Sequence, residues 1–194
     1  MASEWKVTEY NSTETDIDDD GDKTVRTTTM SGTTATETTT TTPNGGSSTT
    51  TTNTATINAY TWTIEKDGTW TSTRDLTATS EVAPGVMMTA KMTTVTSGTW
   101  AFVGKTKGDD FKKNERVMFN TLSESNTTVS TVSGTSTTTA SSDTYKTGEM
   151  VSVYTVKESK KKELQLESEV GNTETYGSST YSTTGTTTIT LSAE

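Results

Sequence analysis

Four aspartates at alternate positions, Asp16, Asp18, Asp20 and Asp22, with Gly21 among them, are the residues of this chain best spaced to do chemistry. Carboxylates at alternate positions followed by glycine match the front half of a calcium loop, where their oxygens converge and glycine permits the bend. The position where such a loop carries its closing bidentate glutamate is Thr27, so a distant carboxylate or a water would have to complete the shell. The same residues also read as a solvated acidic hairpin with Asp20-Gly21 as its turn. Both readings stand at the level of sequence.

Other chemistry is narrowly bounded. The chain has no His and no Cys, which removes the commonest general base, the best metal ligands and the soft nucleophile. Carboxylate pairs for glycoside hydrolysis would have to come from Glu65, Asp67, Glu115 or Glu169, and no spacing sets two of them at working distance. No enzymatic activity is expected. Basic residues cluster in two stretches, Lys105, Lys107, Lys112, Lys113 and Arg116, then Lys157, Lys160, Lys161 and Lys162. Alternate connections of an up-and-down barrel share an end, so both basic stretches are expected at one end and the aspartates at the other. A net charge of −9 and a pI near 4.6 argue against a nucleic-acid partner, which calls for a basic face.

The elements that must position these residues are strands. Threonine fills 54 of the 194 positions and serine another 22. Threonine is β-branched and suits a pleated surface, and its hydroxyl lets that surface face water. Hydrophobic residues make up only 27%, so the core is expected to be thin. Trp5, Trp62, Trp70 and Trp100 nevertheless sit in alternating runs, as a folded chain requires. The length fits one domain spanning residues 1–194.

Turn signals separate the runs. A threonine run over residues 24–42 meets Pro43-Asn44-Gly45-Gly46, a hairpin signal built from residues that tolerate positive φ. Tyr60, Trp62 and Ile64 then share a face, and Lys66-Asp67-Gly68 turns the chain into Trp70, Ser72, Arg74 and Leu76. Pro84-Gly85 makes the next turn, Val86, Met88, Ala90 and Met92 alternate along the next strand, and Ser97-Gly98 is expected to break it. The stretch 110–118 is the one place with a hint of helical spacing. Leu164, Leu166, Ser168 and Val170 form the clearest single-faced strand. About ten short strands with turns between them predict an all-β antiparallel barrel with long threonine-rich hairpins.

The order of Ser3-Glu4-Trp5-Lys6-Val7, the segment from Trp62 through Lys66-Asp67-Gly68-Thr69 to Trp70, Ser97-Gly98-Thr99-Trp100 and the late hairpin around Tyr154 and Leu164 resembles the lipocalin-like (calycin) proteins that Bacteroidetes secrete as lipoproteins. In the first strand the family's Gly-x-Trp is Ser3-Glu4-Trp5 here. The resemblance covers most of the chain. It implies a single up-and-down β-barrel, export to the periplasm, outer membrane or exterior, and a precursor with a removed signal peptide and a lipid anchor. It also implies a small apolar or amphipathic ligand in the barrel, or an envelope or surface protein as partner. The residues expected to line the ligand site are Tyr60, Trp62, Met88, Trp100 and Phe102. The alternative expectation is a structural or adhesive surface module whose barrel is filled by its own side chains.

Overall fold

A computed structural model describes residues 3–104, 115–176 and 179–193, and every regular element among them is a strand. The eleven strands are β1 (Ser3–Ile17), β2 (Lys23–Ser31), β3 (Thr34–Thr42), β4 (Thr49–Ile64), β5 (Thr69–Ala83), β6 (Val86–Phe102), β7 (Arg116–Val132), β8 (Thr135–Thr144), β9 (Met150–Lys160), β10 (Glu163–Tyr176) and β11 (Ser179–Ala193). All pairings are antiparallel. Ten strands form a closed ring in the order β6-β5-β4-β3-β2-β1-β11-β10-β9-β7, sealed by the β6–β7 pairing, and β8 is appended to β7. This is the expected all-β, up-and-down barrel, and its architecture is compatible with a lipocalin-like fold.

The ring is not uniform along its axis. At one end, the base, β1 pairs directly with β4 (Trp5 opposite Trp62) and β7 pairs directly with β9 (Val117 opposite Tyr154). There the circuit β1-β4-β5-β6-β7-β9-β10-β11 has eight members. Toward the other end the β2–β3 hairpin is wedged between β1 and β4, and β8 takes the place of β9 beside β7.

Bulges make room for these wedges. The register slips between Val7 and Glu9 on β1 and between Ile57 and Ala59 on β4, just where the two strands part. A third slip, opposite Ser97 and Gly98, leaves Leu122 extra on β7 at the level where β8 gives way to β9. A bulge bends its strand and raises its twist, so three of them at one level splay the wall outward. The turns of the inserted segments seat against these sites. Ile57 N–H donates to the Thr33 carbonyl at 2.8 Å, and Tyr145 N–H donates to the Leu122 carbonyl at 2.9 Å. Barrel diameter grows with strand number, so the molecule widens from an eight-stranded base to a ten-stranded top.

Three sequence expectations change here. The threonine run 24–42 is two strands, turned at Gly32 with φ 60°. Ser97-Gly98 does not break its strand; β6 runs through it, and the irregularity is the bulge on β7. Of the stretch with helical spacing, residues 110–114 lie outside the described residues, while 116–118 open β7.

The main core sits in the base, and Met30 and Ala35 are buried separately above it. Trp5, Val7, Trp62, Ile64, Trp70, Val117, Phe119, Leu164, Leu166, Ile189 and Leu191 form one buried cluster. They are the inward-facing alternate residues of six of the eight basal strands, while β6 adds the partly buried Trp100 and β9 the partly buried Tyr154 and Val156. Eight strands leave an interior that side chains just fill. Above the bulges the inward positions are mostly Ser, Thr and charged residues, and the wider interior has no comparable packing.

Candidate functional site in the upper barrel

The aromatic layer that closes the base is the floor of the upper chamber. Trp62 meets Phe119 edge-on at 5.1 Å between centroids, Trp70 meets Phe119 at 5.1 Å, and Trp62 and Trp70 lie 5.5 Å apart. Tyr154 joins from β9 and Tyr60 from β4, with Tyr10 6.5 Å from Tyr60. Edge-to-face arrangements of this kind add to the area term of aromatic burial. Burial raises the pKa of both Tyr60 and Tyr154, so the floor carries no charge at neutral pH.

Directly above the floor, where the barrel widens, lies a cavity of about 320 Å³. Met30 from β2, Ala35 from β3, Ala55 from β4, Leu76 and Ala78 from β5 and Met92 from β6 give it apolar walls. Cross-strand register brings them together: Met30 pairs with Ala35, Ala35 with Ala55, Leu76 with Met92. Small residues on β3 and β4 leave the space, and flexible methionines border it. A second cavity of about 290 Å³ shares Arg74, Leu76 and Met92 and continues along β6 and β7 past Thr94, Asn126 and Thr128.

Arg74 borders both cavities and forms no ion pair or hydrogen bond within the described residues. On β6 and β7, Thr94 donates to Asn126 at 2.8 Å and Asn126 donates to Glu124 at 3.0 Å. The chamber therefore combines an apolar patch, an uncharged aromatic floor, and a polar side with the Arg74 guanidinium, the Glu37 carboxylate and Asn53. That combination suits an amphipathic molecule with a polar head.

The structure distributes the residues expected to line a ligand site over three levels. Trp62 is buried in the base at 4% exposure, and Tyr60 is partly buried against the same cluster. Trp100 packs under the β4–β5 turn, donating its indole N–H to the Glu65 carbonyl at 2.8 Å, with Phe102 against it at 5.4 Å and 53% exposed. Met88 lies toward the upper end of β6, opposite Ser80 and Val132. The cavity is lined by Met92, two pleat repeats below Met88, and by Leu76 opposite it. The alternation of Val86, Met88, Ala90 and Met92 identified that face; what it lacked was the level at which the core ends.

The aspartates form a hydrogen-bonded turn at the top. Asp18 accepts from the backbone N–H of Asp20 at 3.1 Å and of Asp22 at 2.9 Å. Asp22 accepts from Asn44 N–H at 2.8 Å, and Asn44 donates its side-chain amide to the Asp20 carbonyl, joining the β1–β2 and β3–β4 turns. Asp16 faces inward, held by Arg26 at 2.7 Å and by Thr183 at 2.8 Å. No three carboxylates converge on one point among the described residues.

The 161–162 turn lies at the base, opposite the aspartate turn, and residues 105–114 of the other basic stretch lie outside the described residues. Their neighbours Val103 and Arg116 pair at the base, Val103 N–H donating to the Arg116 carbonyl. The base also carries Glu4, Glu65, Asp67, Glu115, Glu158 and Glu163, so its described part is mixed in charge. Glu158 holds the Lys160 pKa up, and hydrogen bonds from Thr69 hold the Asp67 carboxyl down. Glu169 sits far from the three basal carboxylates Glu65, Asp67 and Glu115, paired with Thr186 in the upper barrel.

Comparison of the chain with protein-family models, with curated proteins and with solved structures finds no match.

Proposed function

We propose that this protein is a non-enzymatic, exported binding protein of the lipocalin-like type, related in kind to the secreted lipoproteins of Bacteroidetes. Its ligand is a small amphipathic molecule seated in the upper barrel. The observation that carries the reading is the cavity of about 320 Å³ directly above a closed aromatic floor. Its size lies at the lower end of the range for small-molecule sites, and its lining sets an apolar patch beside polar groups that can orient a head. The apolar part of the ligand lies against Leu76, Met92 and Met30, and its head faces Arg74. Met30 and Met92 adapt to more than one ligand shape.

Native mass spectrometry of protein purified gently from its own envelope, with and without chelator, tests this. An organic mass that leaves on denaturation is expected, and Ala55→Trp, which fills the cavity without touching the base, is expected to abolish it. A bare chain at every purification would end the carrier reading and leave the second one. That second reading is a structural or adhesive surface module, favoured by a base already filled with its own side chains and by long polar strands that lead away from it.

A further inference from the structure

The upper barrel has a seam. β9 pairs with β10 only from Thr155 opposite Glu167 down to Lys160 opposite Glu163. Above that level β10 continues to Tyr176 with β11 as its one partner, and β8 has β7 as its one partner. β8 and β10 are neighbours around the ring, yet they do not approach as paired strands do. Two sheet edges therefore face open solvent within the described residues.

The two edges are protected differently. The β10 rim carries Glu167, Glu169 and Glu174, with Gly171 and Asn172 between them, and like charges along a rim oppose a second strand of the same kind. β8 reads Thr-Ser-Thr-Thr-Thr-Ala-Ser-Ser-Asp-Thr. It has no lysine, no proline and no register slip against β7, and its first charge is Asp143. Every residue of it is exposed. Proteins guard such edges unless they use them.

The turn before β8 tells which backbone groups the edge offers. Ser133 and Gly134 have φ of 48° and 82°, the two positive values of a type I′ two-residue hairpin. The closing pair Val132–Thr135 of such a turn exchanges both hydrogen bonds, and alternate residues follow suit. Thr137, Thr139, Ser141 and Asp143 therefore spend their backbone groups on β7. Ser136, Thr138, Ala140 and Ser142 present theirs to the open side.

We propose that β8 pairs antiparallel with β8 of a second copy of this chain, extending the sheet across a twofold axis. A strand that meets itself needs small side chains and no charge near the axis, and residues 135–142 meet both conditions despite the chain's net charge of −9. Centring the pair on Thr139 uses all four outward residues, Ser136 opposite Ser142 and Thr138 opposite Ala140. It sets each Asp143 opposite Thr135 of the other copy. The two Asp143 residues then lie at opposite ends of the paired segment, about 27 Å apart at the ordinary strand rise. Thr139 faces its own copy as a non-hydrogen-bonded pair, with Cα atoms about 4.5 Å apart.

The full chain contains no cysteine, so Thr139→Cys introduces a single thiol at that axis. A Cα separation of about 4.5 Å falls within disulfide range. Mild oxidation of Thr139→Cys is expected to give a disulfide-linked dimer at least about tenfold faster than Thr52→Cys, an equally exposed position on β4 away from the edge. Light scattering of the unmodified chain over a concentration series is expected to show a monomer–dimer equilibrium. Ala140→Pro removes an outward N–H while sparing the bonds to β7, and is expected to weaken the dimer about tenfold or more, two hydrogen bonds being lost per dimer. Thr139→Lys keeps the strand, sets like charges face to face and is expected to dissociate the dimer equally, which covers the case in which the proline variant fails to fold. An unmodified chain that stays monomeric at every concentration overturns the proposal. So does equal oxidation of the two cysteine variants, or a dimer indifferent to Thr139→Lys.

Discussion

The base and the top of this barrel are built from the same strands and solve different problems. β1, β4 and β7 each pass through both regions, apolar and aromatic at one end and Ser/Thr at the other. In the base, eight strands close around side chains that fill the interior, and Phe119, Ile64, Leu164 and Leu191 are almost wholly buried. In the top, ten strands enclose more space than the available apolar residues can fill, and Met30, Leu76 and Met92 border a cavity. The difference teaches where this chain spends its small hydrophobic supply. A fraction of 27% is low for a uniform core of 194 residues, yet it suffices when concentrated in one layer that holds eight strands in register. The top then inherits its geometry from the base and is free to be polar, wide and open at a seam.

The largest test of that division removes the centre of the basal layer. Phe119 is 2% exposed and contacts Trp62, Trp70 and Tyr154. Phe119→Ala is expected to cost about 3–5 kcal/mol in chemical denaturation. The matching change in the top, Leu76→Ala, enlarges an existing cavity and is expected to cost about 1–2 kcal/mol, because its side chain is only partly packed. Equal losses at the two sites would mean that the core extends through the cavity and that the two regions are one.

Raising the pH sharpens the comparison next. Burial lifts the pKa of Tyr60 and Tyr154 above the ordinary value of 10.0, so the folded protein holds both phenolic protons where the unfolded chain would release them. The stability this represents is present in full below pH 10 and is lost as pH rises beyond it, by about 1.4 kcal/mol per pH unit for each group until its folded pKa is reached. Denaturation midpoints are expected to hold steady through neutral pH and to fall above 10. Tyr154→Phe is expected to flatten that fall, and a fall unchanged in the variant would place the alkaline weakness elsewhere.

Much of the base was legible in the sequence, and the top was less so. Trp62 and Ile64, Trp70 and Ser72, and Leu164 and Leu166 alternate visibly, and Lys66-Asp67-Gly68 marks its turn without ambiguity. In the top, threonine on both faces erases the period-2 contrast that register depends on. Ser31-Gly32 and Ser133-Gly134 are turn dipeptides, but the residues on both sides of each are alike in polarity, so no contrast marks the turn. Those two turns define the β2–β3 and β7–β8 hairpins that widen the barrel above the base. The bulges at Thr8, Asn58 and Leu122 carry no composition signal at all, since each follows from strand pairing that spans much of the chain. Trp62 and Tyr60 thus belong to the floor, while Met30, Leu76 and Met92 line the cavity above it.

Two smaller effects complete the comparison, and both fall in the top. Thr38 and Thr52 share a hydroxyl contact of 3.3 Å on the outer face of β3 and β4, and Thr52→Ala is expected to cost about 0.5 kcal/mol, the scale of an exposed cross-strand pair. The smallest expected effect is that of calcium. Three of the four candidate aspartates are already engaged: Asp18 by two backbone N–H groups, Asp22 by Asn44, Asp16 by Arg26 and Thr183. Binding would have to break these contacts and uncouple the turn from the β3–β4 connection. A site with the weak affinity of extracellular calcium modules would still add about 1.4–2.7 kcal/mol when calcium exceeds its Kd by ten- to a hundredfold, which is a rise of several degrees in Tm. The expected change is none, in either calcium or chelator. A rise of that size, abolished by Asp18→Asn and untouched by Phe119→Leu, would show that the acidic turn reorganises around the ion and that the top has a second source of order independent of the base.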